Sequence, residues 1–363
     1  MKTHALKLIL LCLSFLFANS CKQANTKTNA SPIVKTYPKS IEIPEGMTWV
    51  PGGEFSQGAI ADDPYALAHE KPMHRVIVDG FFMDQTEVTN AQFKAFVKAT
   101  GYLTIAERAV DWEVIKHQVP EGTEKPADSL LQPGTLTFMK CHSTPNNLND
   151  YSQWWSWTQG ANWKHPSGPS SSIEGREQHP VVHIAYEDAL AYCEWAGRRL
   201  PTEAEWEFAA RAQQDEAIFF WGKDPKELVS HANTWEGEFP VSNTLEDGFE
   251  RSAPVRSFKP NKLGLYDMAG NVWEWTSDWY HANYYQNLAA EKEILRNPKG
   301  ASTSYNPMNP RTQEKIIKGG SFLCNASYCA SYRISSRMGT TTDSALEHVG
   351  FRTVATIEML QSK

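Results

Sequence analysis

The chain is poor in cysteine, has no long apolar run beyond its first twenty residues and carries no excess of positive charge. Each scarcity excludes a class of protein. Six cysteines in 363 residues are too few and too scattered for a disulfide-built scaffold. No segment is long and apolar enough for a transmembrane helix, which needs roughly 20 consecutive apolar residues. A formal charge of −7 argues against nucleic acid as a partner, because phosphate contacts demand a basic surface. There is no internal repeat, and the length suits one large domain or two small ones with ample sequence for a core. What the chain does hold is tryptophan. Thirteen of them suggest a rigid aromatic interior that exposes some rings to a peptide.

Residues 1–20 read as an export signal, with Lys2 and Lys7 flanking a short basic start and an apolar run from Leu8 to Phe17. Small residues precede Cys21, which suggests a lipoprotein signal with Cys21 as the acylated, membrane-anchoring N-terminus; Ala18 and Ser20 also suit an ordinary cut just before Cys21. The expected location is the periplasm or cell envelope. Loss of the two lysines takes the formal charge from −7 to −9. Residues 21–40 are polar and without an apolar period, as in a flexible tether. The folded body is expected over 41–359.

Within the body, Met47 to Phe55 carries strand residues interrupted by a turn, and 74–79 with 81–83 reads as a short strand pair. Three helices are expected. Thr89 and Gln92 have capping-box spacing ahead of Phe93, Phe96 and Val97, with Gly101 as the stop. A second helix covers Tyr186 to Trp195 and stops at Gly197; a third starts at Pro201-Thr202, pairs Thr202 with Glu205, and runs to Ala212. Beyond Phe220, short apolar pieces separated by Gly, Pro, Asn and Asp predict little regular structure. The stretch 107–160 has no clear period.

The densest chemistry lies in KGGSFLCNASYCASYR at 318–333, where Cys324 and Cys329 stand five residues apart behind Gly319-Gly320. Paired thiolates select soft ions such as Cu(I). In an exported protein they equally suit a small disulfide loop. His179 and His183, in HPVVH, have a spacing reminiscent of a histidine iron motif, but Ala185 stands where that motif wants a carboxylate and Pro180-Val181-Val182 reads as strand.

The cysteine segment with Gly350-Phe351-Arg352 resembles the active-site segment of the formylglycine-generating enzymes, the sulfatase-modifying factors. The resemblance extends over about 45–356, through VPGGEFSQG, GANWKHP at 160–166, HPVVHIAYEDALAYCEWAGRRLPTEAEWEFAAR at 179–211, NTWEGEFPVSNTLEDGF at 233–249 and GLYDMAGNVWEWTSDWY at 264–280. WAGRRLPTEAEWE and GNVWEWT mark the fold; the Cys-x4-Cys segment marks the enzyme. The resemblance implies a single α+β domain, C-type-lectin-related, with little regular secondary structure. It implies Cu(I) held by Cys324 and Cys329, with a substrate thiol joining as a third sulfur. Molecular oxygen would then take the substrate Cβ–H, and the resulting thioaldehyde would hydrolyse to Cα-formylglycine. The partner it implies is an unfolded sulfatase carrying Cys-x-Pro-x-Arg, together with oxygen and a thiol reductant.

Other matched positions carry further expectations. Ser321 falls beside the site, as a hydrogen-bonding group or as a turn residue. Tyr328 and Arg333 match as well and suit packing or surface roles equally. Asn233, Thr234, Asp247 and Phe249 match one calcium site, and Asp267, Gly270, Val272 and Glu274 a second; Thr234, Phe249, Gly270 and Val272 would offer carbonyls, and calcium tolerates such mixed oxygen shells. Without the family, 243–248 is a polar turn. Trp154, Trp155 and Trp163 fall near the family's peptide groove, or are core tryptophans. Of the family's disulfide cysteines only Cys193 is kept, since Ala210, Ile334 and Thr353 fill the others, so Cys193 is expected as a free buried thiol. Cys141 has no assigned role. Two other functions fit the resemblance: a scaffold lipoprotein of the same fold serving motility or secretion, and an oxidase of a different, small thiol.

Overall fold

The computed structural model describes residues 32–361 apart from 149 and 292. The expected export signal, Cys21 and most of the expected tether lie outside the described residues. The body begins earlier than Ile41. The Val34 carbonyl accepts from the backbone N–H groups of Gly52 (3.0 Å) and Gly80 (2.8 Å), and the Tyr37 ring packs on Trp49 and Phe82.

Those two glycines set the first topology. Strands β1 (Met47–Val50), β2 (Gly53–Gln57), β3 (His74–Val78) and β4 (Phe81–Asp84) follow one another in sequence. The expected pairing of 74–79 with 81–83 does not occur: β1 pairs with β4 and β2 with β3, all antiparallel. The chain changes sheet at Gly52 and at Gly80. A Cβ at Gly80 would lie 2.2 Å from the Trp49 ring, and one at Gly52 would lie 2.4 Å from the Val34 oxygen. Only glycine fits either corner.

The helices form where their caps predict. In α1 (Asn90–Thr100), Thr89 and Gln92 make a reciprocal capping box and Gly101 closes the end in the left-handed region. A single turn, α2 (Trp112–Ile115), and the hairpin of β5 (Gly134–Phe138) with β6 (Trp155–Gln159) occupy the stretch that lacked a period. Helix α3 (Tyr186–Ala196) ends at Gly197, and α4 (Glu203–Arg211) is capped by Thr202 and Glu205.

The expectation of little regular structure beyond Phe220 holds for most of that stretch, where many of the elements are only two to five residues long, but it misses one strand at the centre of the molecule. After the short hairpin β7 (Gly237–Glu238) and β8 (Ser242–Asn243), the longest strand, β9 (Trp273–Trp279), forms from GNVWEWTSDW. It is followed by α5 (Tyr284–Ala290), β10 (Leu295–Arg296), β11 (Glu314–Lys318), β12 (Met338–Thr341), β13 (Val349–Gly350), β14 (Val354–Ala355) and α6 (Ile357–Gln361). The order β12-β11-β9-β13 makes a four-stranded sheet; β1-β4-β14 and β10-β3-β2 make two three-stranded ones. Strand β9 is buried on both faces although Glu274, Thr276 and Asp278 alternate with its tryptophans, so its polar residues mark buried hydrogen-bonding positions and not a solvent face.

Helix α4 is buried at every one of its nine positions, yet it carries three glutamates. Each has a cation. Glu203 takes Arg337 (2.6 Å), Glu205 takes Arg199 (2.6 Å), and Glu207 takes Arg211 (2.8 Å) with Lys318 (3.3 Å). Trp206 on the same helix donates from Nε1 to Glu274 of β9 (2.7 Å), whose carboxylate also receives both arms of Arg352 at 2.6 Å. Removing one partner from such a buried pair leaves a charge with neither water nor counter-ion. Arg352→Ala is therefore expected to lower the unfolding free energy by about 3–5 kcal/mol in a urea titration. A change within about 0.5 kcal/mol, as for an ordinary surface substitution, would contradict the closure described.

Candidate active site

Lys318 ends β11, and Gly319 and Gly320 follow with positive φ of 91° and 74°. A Cβ at Gly320 would lie 2.8 Å from the backbone of Ser331 and Tyr332, so the loop 321–332 folds back onto its own start. Asn325 ties it. Its carbonyl accepts from the N–H groups of Tyr328, Cys329 and Ala330 (each 3.0 Å). Its side-chain amide donates to the carbonyls of Trp235 (2.9 Å) and Gly237 (3.2 Å). The Cys324 carbonyl in turn accepts from Trp235 N–H at 3.0 Å.

Cys324 and Cys329 are both free thiols, the first buried and the second half-buried. They hydrogen-bond to each other. The Cys324 S–H lowers the Cys329 pKa to about 7, and burial with the neighbouring sulfur pushes Cys324 well up. The contact thus favours the thiolate form at Cys329 and the thiol at Cys324. Ser321 N–H donates to the Cys324 sulfur at 3.4 Å. The Ser321 hydroxyl oxygen accepts Leu323 N–H (3.3 Å) and stands 3.1 Å from His348 Nδ1. Two close thiols fit a soft, low-coordinate ion.

Aromatic side chains wall the pair. Tyr328 stacks on Phe239 (4.8 Å between centroids) and meets the edge of Trp154. Trp155 meets His348 at 4.9 Å. Of the three tryptophans expected at a peptide groove, only the half-buried Trp155 offers a face. Trp154 is 1% exposed, within the wall itself. Trp163, at 2%, belongs to the main core against Phe93 and donates to Glu107. Phe138 and Trp155 lie opposite one another in the β5–β6 hairpin; two residues further, Leu136 and Trp157 do the same. Leu136 and Trp157 open onto a cavity of about 610 Å³ also lined by Val110, Asp111, Asp343 and Leu346. Side chains two apart share a strand face, so one apolar stripe joins the aromatic wall to that cavity.

The two expected calcium sets flank the loop. Asp247 accepts Thr234 N–H (2.9 Å) and Phe249 N–H (2.8 Å). Asn233 Oδ1 and Thr234 Oγ1 beside it are buried without a partner. Burial also raises the Asp247 carboxyl and pushes Glu236 up to about 7. Unpaired buried oxygens and carboxyls that resist ionisation fit a hard cation. In the second set, Asp267 lies by Glu87, a residue the sequence reading did not single out; Glu87 Oε2 is buried and unpartnered. Glu274 fits less well, since Arg352 and Trp206 already occupy both of its oxygens. Among the described residues, no three His, Cys, Asp or Glu side chains converge as a metal cluster, so an ion in either set would lean on carbonyl and amide oxygens.

The remaining expectations separate cleanly. Cys193 is a free, buried thiol on α3, pushed well up by burial. Arg333 is not a surface residue: it is fully buried, holding Glu70 (2.6 Å) and Asp63 (2.7 Å). His183 Nε2–H donates to the Pro166 carbonyl (2.8 Å), while His179 Nδ1 lies by Ser252. Cys141 is half-buried, with its sulfur on the Gln153 carbonyl. His348 and Asn325 had no signal in the sequence beyond being polar residues in turns.

Residues 33–357 match the family model described as "Sulfatase-modifying factor enzyme 1-like domain". The chain is 42% identical over 315 residues to the formylglycine-generating enzyme of Thermomonospora curvata, covering 86% of this chain and 94% of that one. It is 34% identical over 309 residues to the Bos taurus protein named inactive C-alpha-formylglycine-generating enzyme 2, covering 84% and 86%. Among solved structures, PvdO from Pseudomonas aeruginosa shares the fold, with a TM-score of 0.56 at 22% identity over 90% of this chain and all of that one.

If the 233–249 set holds calcium, adding calcium to chelator-treated protein will raise Tm. Saturation at about 100 times Kd corresponds to about 2.7 kcal/mol. Asp247→Asn is expected to remove most of that shift; an unchanged shift would place the ion elsewhere.

Proposed function

Because the chain belongs to the sulfatase-modifying factor enzyme 1-like family, we propose that it converts a cysteine of a sulfatase polypeptide to Cα-formylglycine, with oxygen as the oxidant. The observation that carries this reading is the pair of free thiols, one buried and one half-buried, adjacent in the loop that also bears Tyr328. A scaffold protein has no need of two adjacent sulfurs in this loop. The family does hold a member named inactive, so the thiol pair and not the fold separates the two readings.

Cys324 and Cys329 would hold Cu(I), which when bound supplies the affinity for a substrate sulfur and the electron for oxygen. The chain's own residues do the rest. Asn325 and the Gly319-Gly320 corner fix the direction of both thiols. Burial of Cys324 excludes water from one side of the pair. The apolar stripe from Trp155 to Trp157 suits an extended peptide, and the carboxylates of Asp111 and Asp343 at the cavity suit an arginine two residues beyond a proline, as in Cys-x-Pro-x-Arg. The balance is one substrate Cβ–H and its thiol proton removed, giving a thioaldehyde. Water then replaces sulfur, releasing hydrogen sulfide and leaving the aldehyde. Oxygen reduction to two waters takes two electrons from the substrate and two from a thiol reductant. Export, with acylation at Cys21 anchoring the protein to the envelope, belongs to the same proposal; among the described residues no helix is long and apolar enough to cross a membrane.

The test is conversion of a Cys-x-Pro-x-Arg peptide by the purified, Cu(I)-loaded protein under oxygen, followed by mass spectrometry. Aldehyde formation is expected, and Cys324→Ser and Cys329→Ser should each reduce it at least 100-fold, about 2.7 kcal/mol of transition-state stabilisation. No aldehyde from folded, copper-bound protein would move the assignment to a different thiol substrate.

A further inference from the structure

Ser321 and His348 meet across the fold, 27 residues apart in sequence, at 3.1 Å between Oγ and Nδ1. Both are buried. The serine oxygen already accepts Leu323 N–H at 3.3 Å, which leaves its hydrogen free to donate. With the ring proton on Nε2, His348 Nδ1 is the acceptor of that hydrogen. Burial and the nearby His183 hold the ring neutral, with a pKa lowered to about 3. The ring cannot swivel freely, because Trp155 closes on it at 4.9 Å and its backbone carbonyl accepts Trp273 N–H at 2.8 Å.

From these contacts we infer that His348 is a positioning residue for the thiol pair, acting through Ser321. With its hydrogen committed to His348 and its oxygen to Leu323, the Ser321 side chain has one orientation. Its backbone N–H then points at the Cys324 sulfur, and the turn 321–324, closed by Cys324 N–H on the Ser321 carbonyl at 2.9 Å, is held in a single form. Without His348 the hydroxyl would be a buried donor with no partner, free to rotate toward the sulfur it stands beside and compete for the lone pairs that a metal needs. The inference rests on the oxidase reading for its catalytic consequence but not for the hydrogen bond itself.

The test uses the full chain with His348→Leu, His348→Asn, Ser321→Ala and the double variant. Asparagine can place an amide oxygen near the position of Nδ1, so it can accept from Ser321; leucine cannot. His348→Leu is expected to lower kcat for the peptide on the order of tenfold, the worth of one hydrogen bond expressed as a rate, with KM changed less than twofold. His348→Asn should restore most of that loss. The double variant should be no slower than the slower single one, because both changes break the same contact. Additive losses, or no rescue by asparagine, would overturn the inference and leave His348 as packing for Trp155. If the wild-type protein converts no peptide, the oxidase reading fails separately, and nitrogen NMR of His348 decides. An Nε2–H tautomer whose Nδ1 signal shifts in Ser321→Ala supports the contact; a signal indifferent to Ser321 overturns it.

Discussion

The buried carboxylate of Glu274 receives both arms of Arg352 and the indole N–H of Trp206, while its backbone sits in β9 opposite Lys318 on one side and Gly350 on the other. Helix α4 and strands β9, β11 and β13 are thus referred to one point. Both halves of the candidate site are launched from it. Lys318 is followed within three residues by Ser321 and within six by Cys324. Gly350 is preceded two residues earlier by His348. The Ser321–His348 contact is a consequence of two strands leaving the same carboxylate on opposite sides.

The segments that would carry calcium stand between this frame and the thiols. Gly270 N–H donates to the Gly319 carbonyl (2.9 Å), Asn271 N–H to that of Asn233 (2.8 Å), and Phe322 N–H to that of Asn271 (2.9 Å). The loop bearing Cys324 is thus laced to both expected ion sites by these backbone hydrogen bonds and, at the first, by the Asn325 amide. That region has few long strands of its own. Its rigidity comes from short-range bonds, from aromatic contacts among Trp235, Phe239, Phe138 and Tyr328, and from whatever neutralises the buried oxygens of Asn233, Thr234 and Glu87.

Local chemistry was legible in the sequence wherever a few neighbouring residues decide the outcome. Thr89 with Gln92 and Thr202 with Glu205 announced two helix starts, and Gly101 and Gly197 two ends. The cysteine pair was legible because its spacing and its Gly-Gly approach are local too. What depends on distant partners was not. The polar residues of β9, Glu274, Thr276 and Asp278, are buried by partners that lie far away in sequence, and the exchange of partners at Gly52 and Gly80 requires knowing that Val34 lies across both. Trp163 and Trp155 look alike in sequence, yet one fills the core and the other faces His348. His348 itself enters the site only through β13.

The central claim is that Cys324 and Cys329 together form an open two-sulfur site that a substrate thiol completes. Copper X-ray absorption on the Cu(I)-loaded protein, with and without a Cys-x-Pro-x-Arg peptide under anaerobic conditions, tests this most directly. The account predicts two sulfur neighbours in the free protein and three with peptide, at copper–sulfur distances near those of thiolate ligands. Nitrogen or oxygen neighbours in the free protein, or a shell that peptide leaves unchanged, would contradict it.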